Sequence, residues 1–509
     1  MAGFLVLVLW RRLRDRDGTF GEVWFVRALG RLADRAARTS ALVYGFTAIA
    51  ALLLVGVSLR RYLAFDNNGD LAIFDQALWN TTRGAFLRSS FLPGVPREAI
   101  IFSDHFDPLQ LLLVPLFALF PSPLLLLAVQ AIMLALGAVP LYWLARDRFP
   151  GQALAAVFPI LYLLYLPLRG ANRYDYHPSA LAPPLLLFAL YFMERARWGR
   201  MILFLVMAGL LKENIPIAGA AIGVYLLLVK RRRCLGLVLA ACFGLWFYAG
   251  FAWIIPAFTP GGVYAHFLSY PAFGGTPSRT FLAPLLQPLG FLETLAASPE
   301  RKLLYVLYVF GPVAFLPFLS PSRLLLGLPF LAQILLSNVP LQTSLRTHHA
   351  AELIPFVFFG ALGGASTLIQ WGPRTLIRAV LGDGAGLPRA VAALLLLGSA
   401  LFHDFPEMFY VRSYARTSHH ERLDTVLRAI PADAPLSTSG EIAPHVAHRR
   451  KLYRFPALGL PGAAEAEVVI LDRTLANLAS LADAIAALPA KGYEKVVDRD
   501  GILVFRKRP

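Results

Sequence analysis

The sequence predicts a mainly α-helical, polytopic membrane protein with a small α/β domain at its C-terminal end, and three observations carry that prediction. Hydrophobic residues make up 57% of the 509 and charged residues only 16%, with a mean hydropathy of +0.59, a balance that one water-soluble core cannot accommodate. The apolar residues fall into about 11 to 13 hydrophobic segments; some approach the ~20 residues that a membrane-crossing helix needs, and others are short enough to be re-entrant or broken. After Phe402 the charges return, and EVVILDR near residue 470 and ILVFRK near residue 504 pattern as short strands around a helical Leu475–Leu488.

In chain order, the opening MAGFLVLVLW is too short to span and precedes its arginines, the reverse of a secretory signal, so residues 1–40 are expected to form a cytoplasmic basic segment. The first span then runs from about Ala41 to Leu59 and places the loop 60–108 outside. Basic residues at Glu194–Arg200 and Lys230–Arg233 both prefer the cytoplasm, so the apolar stretch between them should cross twice, with Lys212, Glu213 and Asn214 at its outer apex. The loop 258–302 follows outside and the basic passage Arg374–Arg389 inside. The membrane domain, 41–409, then delivers an extracytoplasmic α/β domain, 410–509, to the outer face. Three apolar runs between Pro108 and Leu168 are one too many for this arrangement. Leu109–Phe120 is short enough to be re-entrant, and which run fails to cross stays open at this point.

Composition also excludes two classes. The net charge of +17 sits in short loops between apolar runs, which is an orientation signal and not a nucleic-acid footprint. Two cysteines, Cys234 and Cys242, in or beside one apolar segment make neither a disulfide framework nor a cysteine metal site.

Four polar clusters interrupt the apolar background, and the expected topology puts all four on the outer side. The first loop carries Asp66, Asp70, Asp75, Asp104, His105 and Asp107; RGANRYDYHP carries Arg173, Asp175 and His177; the apex carries Lys212 and Glu213; and RTHHAAE carries Arg346, His348, His349 and Glu352. In the first loop Leu71, Phe74, Leu78 and Trp79 share one helical face while Asp70, Asp75 and Gln76 lie off it, the pattern of an amphipathic helix along the interface. Plainer roles compete: Asp70 as a cap of that helix, and Asp175 and His177 as caps of the helix that Pro178 opens. Asp and His side chains are available to a divalent metal ion, but no ligand spacing is specific to one. No metal ligand is therefore assigned and no cofactor is specified, with a divalent metal left open.

Together DLAIFDQALWN, HFDPLQLLLVPLFALFPSP with a glutamine in the next span, RYDYHPSAL, LLKENIPI, YPAFGG and PLSTSGEIAPHVAHRRKLYRFP resemble a family of predicted prokaryotic membrane proteins that carries a domain-of-unknown-function label, over about residues 60 to 475. More distantly, the order of features is similar to the GT-C glycosyltransferases: one span, an acidic outer loop with an interfacial helix, a His/Pro-Leu start to the next span and a later Leu-Lys motif. That resemblance implies a multi-pass protein of the bacterial cytoplasmic membrane that transfers a sugar from a polyprenyl-phosphate donor to an unknown acceptor at the outer face. It implies a first-loop acid as catalytic base, with Asp70 the best match, Asp75 beside it and His105 opening the stretch to Leu109. Lys212 matches the later lysine.

A carboxylate at a partly desolvated interface has its pKa raised into the range useful to a base, and a polyprenyl phosphate leaving group calls for cations. Lys212, with Arg169 or Arg173 and with Arg346, supplies them, and Glu213, Asp175, His177 and His349 complete the expected substrate-binding set. Membrane lipid is a further partner. Two other classes stand beside this one: a transporter or lipid flippase, for which the matched internal repeats are missing from the sequence, and a non-catalytic envelope scaffold that displays the C-terminal domain.

Overall fold

Among the described residues, five helices are long and apolar enough to cross a membrane: Thr39–Leu63, Pro123–Arg148, Leu154–Tyr174, Arg233–Phe258 and Ile354–Trp371. Shorter apolar helices occupy Pro108–Leu119, Pro178–Glu194, Trp198–Gly209, Pro216–Leu228, Pro321–Leu336 and Gly386–Leu401. The computed structural model describes residues 36–93, 98–259, 264–274, 277–371, 386–402, 414–457, 465–475 and 478–508. Most of the segment 1–40 and of the passage Arg374–Arg389, on which the expected orientation partly rests, lies outside the described residues.

Of the three apolar runs between Pro108 and Leu168, Pro108–Leu119 is the short one. It begins as a 3-10 turn and becomes α-helical only over Val114–Leu119, so its reach falls well short of the ~30 Å hydrocarbon core. The two runs after it, Pro123–Arg148 and Leu154–Tyr174, are the long ones.

The expected hairpin is present: Trp198–Gly209 and Pro216–Leu228 are joined by a turn that carries Lys212, Glu213 and Asn214, all three buried. Each arm is only 12 or 13 residues, about 18–20 Å of helix. The apex therefore does not stand clear of the packed helices.

The first helix, α1 (Ala36–Leu63), ends in a turn clasped by Arg61, which donates to Asp66 Oδ2 at 2.9 Å and to the Tyr174 carbonyl at 3.3 Å. The next, α2 (Gly69–Thr81), corrects the expectation of an amphipathic helix lying at the interface. Its apolar and polar faces are both buried, Leu71, Phe74 and Leu78 against the membrane helices and Asp75 and Gln76 beneath the C-terminal region. A polar face reads as water-facing in one dimension, but here it meets polar groups of a chain segment some 370 residues away, Gln76 donating to the Arg449 carbonyl at 2.8 Å with |i−j| of 373.

Strands β1 (Arg88–Ser89) and β2 (Ala99–Ile100) form a short antiparallel pair in the first loop. The C-terminal α/β region is a five-stranded mixed sheet in which β3 (Leu436–Thr438) is parallel to β4 (Leu452–Arg454) and β5 (Val468–Asp472), and β7 (Ile502–Lys507) is antiparallel to β5 and β6 (Tyr493–Arg499), in the order β4-β3-β5-β7-β6. The two expected strands are β5 and β7, and the expected helix is a 3-10 turn followed by α-helix Ala482–Ala486. Alternation along β5 divides the faces: Val468 and Ile470 pack with Phe65, Leu71 and helix Ser418–Arg428, whereas Val469 and Leu471 join a separate core with Leu488 and Phe505.

The edge strand β4 is tied down, not left open. Ser90 Oγ donates to the Leu452 carbonyl and accepts from the Leu452 amide, both at 2.8 Å. The His445 ring stacks on Tyr62 at 4.1 Å and on Phe65 at 3.7 Å. Asp75, fully buried, lies 3.1 Å from His448 Nε2. Asp75→Asn is therefore expected to loosen the C-terminal region by about 1–3 kcal/mol, seen as faster limited proteolysis within 414–457. Unaltered protease resistance with loss of turnover would place Asp75 in the chemistry instead.

Candidate functional site

All four polar clusters, and a fifth segment that holds Tyr264 and His266, converge at one end of the helices. The turn after helix Leu166–Tyr174 is fixed first. Gln130, from helix Pro123–Leu136, donates to the Asp175 carbonyl at 2.8 Å and accepts from the His177 amide at 2.8 Å. The Asp175 carboxylate is committed to the start of α2: it accepts from the Asn68 and Leu71 amides at 3.1 and 3.0 Å and from Asn67 Nδ2 at 3.0 Å. It caps α2, whose first amides have no partner within the helix. The capping expected at Pro178 is half right, since His177 Nδ1 accepts from the Ser179 amide at 3.3 Å while Asp175 serves α2 instead. The capping of α2 by Asp70 is wrong, because Asp175 takes that place.

Freed from capping, Asp70 stands in the first turn of α2, half-buried. Burial pushes its carboxyl above the usual range; Arg454 pulls it back, Asp104 pushes with burial, and His105 and Lys212 oppose. Arg454 comes from β4, and its guanidinium lies 4.9 Å from the Phe91 ring centroid. A Cβ on Gly69 would sit 2.4 Å from Arg454 Nη2, so the glycine beside Asp70 is what lets the arginine approach.

The second half of the cluster centres on Glu213. One oxygen accepts from the Tyr264 hydroxyl at 2.5 Å and lies 3.0 Å from His105 Nδ1; the other accepts from the Phe106 amide at 3.1 Å. Burial works against its charge, but His105, Lys212 and Tyr264 outweigh burial and hold it down at about 2. A carboxylate whose folded pKa lies below its ordinary 4.5 stabilises the fold above that value, and the stabilisation is lost as pH falls from about 4.5 through about 2. Glu213→Gln is expected to lower stability at neutral pH by about 1–3 kcal/mol and to flatten that acid limb in thermal unfolding; an unshifted melting curve would remove Glu213 as the anchor of the cluster.

Asp104 and His266 form the mouth, Oδ1 to Nε2 at 2.8 Å, and the His266 ring stacks on His105 at 4.7 Å. Burial opposes the Asp104 charge, yet His105, His266 and Lys212 keep the carboxyl well below the usual range. Asp107, fully buried behind them, is pushed well above it by burial and by Glu213 and Asp104. One ligand atom from each of Asp104, His105 and His266 lies within 4.8 Å of the others, a carboxylate and two imidazoles that suit a borderline divalent ion; among the described residues these are the side chains that could hold one.

Behind this half His177 stacks on His348 at 3.6 Å, and His348 on His349 at 4.4 Å. Burial, then the other cationic groups around Lys212, pull all three down, His349 to about 3.

Lys212 is the common neighbour, acting electrostatically on Asp70, Asp104, Glu213, His177, His348, His349 and Glu352. It is buried and ion-paired with no carboxylate among the described residues, although a buried ammonium ordinarily has a partner. Glu213, its neighbour in sequence, is already committed to His105 and Tyr264.

The structure therefore brings together Asp70, His105, Lys212, Glu213, His177 and His349 of the expected set. It gives the others different surroundings. Asp75 pairs with His448 on the far face of α2, because residues five apart on a helix, at 100° per residue, point in opposed directions. Arg173 lies 5.8 Å from the Tyr414 ring centroid beside Arg61, away from Lys212, and Arg346 is exposed. Tyr264, His266 and Arg454 were missed. The first two lie in the loop 258–302, just ahead of YPAFGG but with no acid near them to mark a polar cluster, and Arg454 sits in HRRKLYR, where nothing distinguishes one basic residue from the others.

Among solved structures, the fold is similar to that of ArnT from Cupriavidus metallidurans, both bound to undecaprenyl phosphate (15% identity, TM-score 0.52) and in the apo state (14% identity, TM-score 0.50), each covering 92% of this chain and 99% of that one. At that identity the likeness is one of fold, and the resemblance to the GT-C fold holds. No curated protein matches the chain in sequence. The family model described as predicted membrane protein (DUF2079) matches residues 61–504, and the chain belongs to that family.

Proposed function

We propose that this protein is a glycosyltransferase that moves a sugar from a polyprenyl-phosphate donor to an acceptor hydroxyl at the outer face of the cytoplasmic membrane. The observation that carries the reading is Lys212, a buried ammonium that pairs with no carboxylate among the described residues, placed where Asp70 and Arg454 meet. The similarity in fold to a protein whose structure holds undecaprenyl phosphate supports a phosphate as the missing partner.

In this reading Asp70 takes the proton of the acceptor hydroxyl as the oxygen attacks the anomeric carbon, and the bond from that carbon to the phosphate oxygen breaks. The leaving polyprenyl phosphate gains one negative charge, which Lys212 and Arg454 stabilise. Raising a base above the ordinary carboxylate range improves proton abstraction, and burial does this for Asp70. Glu213 and Tyr264 hold His105, and Asp104 orients His266, at the rim that an acceptor would cross. The apolar surfaces between helices accommodate the lipid chain, and the C-terminal region, 410–509, lies outside the cell while the segment 1–40 lies in the cytoplasm.

Purified protein supplied with polyprenyl-phosphate sugars and hydroxyl acceptors should bind the donor and release polyprenyl phosphate. Neither binding nor release would end the proposal. A cysteine at exposed Asp433, labelled by an impermeant reagent in intact cells, checks the orientation.

A further inference from the structure

We propose a second anion site, for the headgroup of an anionic phospholipid, at the membrane face opposite the polar cluster. Its position follows from three helices. Pro123–Arg148 carries Gln130 at the cluster and Arg148 at its far end, 18 residues or about 27 Å away. Helix Ala182–Glu194 likewise starts after His177 and ends at Glu194, and Ile354–Trp371 starts after Glu352 and passes Ser366, whose hydroxyl accepts from Arg148 Nε at 2.8 Å.

Between these far ends and Arg323 lies a cavity of about 300 Å³, floored by Leu144, Phe359 and Leu362 and rimmed by charged groups. Its acids are spent. Asp147 accepts two bonds from Arg195, both at 2.7 Å, and Glu194 pairs with Lys230 at 2.9 Å. Two cations remain, for neither Arg148 nor Arg323 has a carboxylate partner among the described residues.

Arg323 is also held in place. Its guanidinium carbon lies 4.7 Å from the Phe359 ring centroid, and a Cβ on Gly363 would come within 2.8 Å of its Nη1. A fixed, flat guanidinium over an aromatic floor loses little freedom when it binds a phosphate, and two of them can share one phosphodiester. The apolar floor suits the glycerol and first methylenes, and basic pockets between helix ends at a membrane face are a recognised means of holding anionic headgroups. The site is independent of the proposed transfer reaction.

The test uses the full chain in nanodiscs and in detergent, with phosphatidylglycerol, phosphatidylcholine and inorganic phosphate as probes. Native mass spectrometry should show phosphatidylglycerol retained over phosphatidylcholine, and the Arg148→Gln/Arg323→Gln variant should lose about tenfold in that preference, as removal of charged hydrogen bonds predicts, with polyprenyl-phosphate binding unaltered. Arg323→Gln alone keeps the Arg148–Ser366 bond and removes no hydrogen bond or ion pair of the described residues, so it serves if the double variant fails to fold; it should lose part of the preference. Thermal protection by millimolar phosphate equal to that by phosphatidylglycerol would keep the anion site and make its source a soluble phosphate. Undiminished preference in a folded variant, or no preference in the wild type, would overturn the proposal.

Discussion

Lys212→Met is expected to weaken polyprenyl-phosphate binding by about 10- to 100-fold, the loss of 1.5–3 kcal/mol that one charged hydrogen bond represents, and to leave the protein folded. The second half of that expectation is the discriminating one. If a carboxylate were the natural partner of Lys212, removing the ammonium would strand a buried acid and destabilise the fold. The acid best placed for that role, Glu213, is instead held by His105, Tyr264 and the Phe106 amide. Lys212→Arg should keep part of the affinity, because the charge survives while the shape of the donor changes. Binding and thermal unfolding measured on the same preparations check this. A destabilised variant of unaltered affinity would take Lys212 out of the lipid site.

Asp70→Asn should lower turnover by about 10²- to 10⁴-fold, the usual contribution of a positioned base, with donor binding little changed. The pH profile gives a second, independent readout. A base works only when ionised, so activity falls as pH drops through the pKa of Asp70, and burial places that limb above the ordinary carboxylate range. Arg454 opposes burial. Arg454→Gln should therefore move the acid limb to still higher pH, in addition to weakening phosphate binding. Asp104 acts on Asp70 in the opposite sense to Arg454, raising its carboxyl along with burial, so Asp104→Asn should move the acid limb to lower pH without abolishing it. If activity and its acid limb are lost in Asp104→Asn while Arg454→Gln leaves the limb unmoved, the base has been assigned to the wrong carboxylate.

The correction at Asp75 shows how far one-dimensional patterning reaches. Asp70 and Asp75 are equivalent in the sequence: both are acids in DLAIFDQALWN, both off the apolar face. The helix period separates them, and what covers each side decides their roles. Asp70 meets Lys212 and Arg454, whereas Asp75 meets His448. Asp175 and Arg173 differ for the same reason, two residues apart on either side of a helix end, one capping α2 and the other beside Tyr414.

The sequence by itself determined the membrane character, the approximate number of apolar segments, the hairpin with Lys212 at its apex and the strands β5 and β7, because each is a local matter of hydropathy, charge and period. It also marked Asp70, His105, Lys212, Glu213, His177 and His349, because a polar group inside an apolar run is conspicuous. Only the tertiary structure decided which of these share a site, that Tyr264, His266 and Arg454 join them, and that the polar face of α2 is buried. Those outcomes depend on contacts across 51 residues for Tyr264 with Glu213, 162 for His266 with Asp104 and 373 for Gln76 with Arg449. A hydrogen bond of this kind is set by where two distant backbones pass each other, and neither partner carries a local signature of the other.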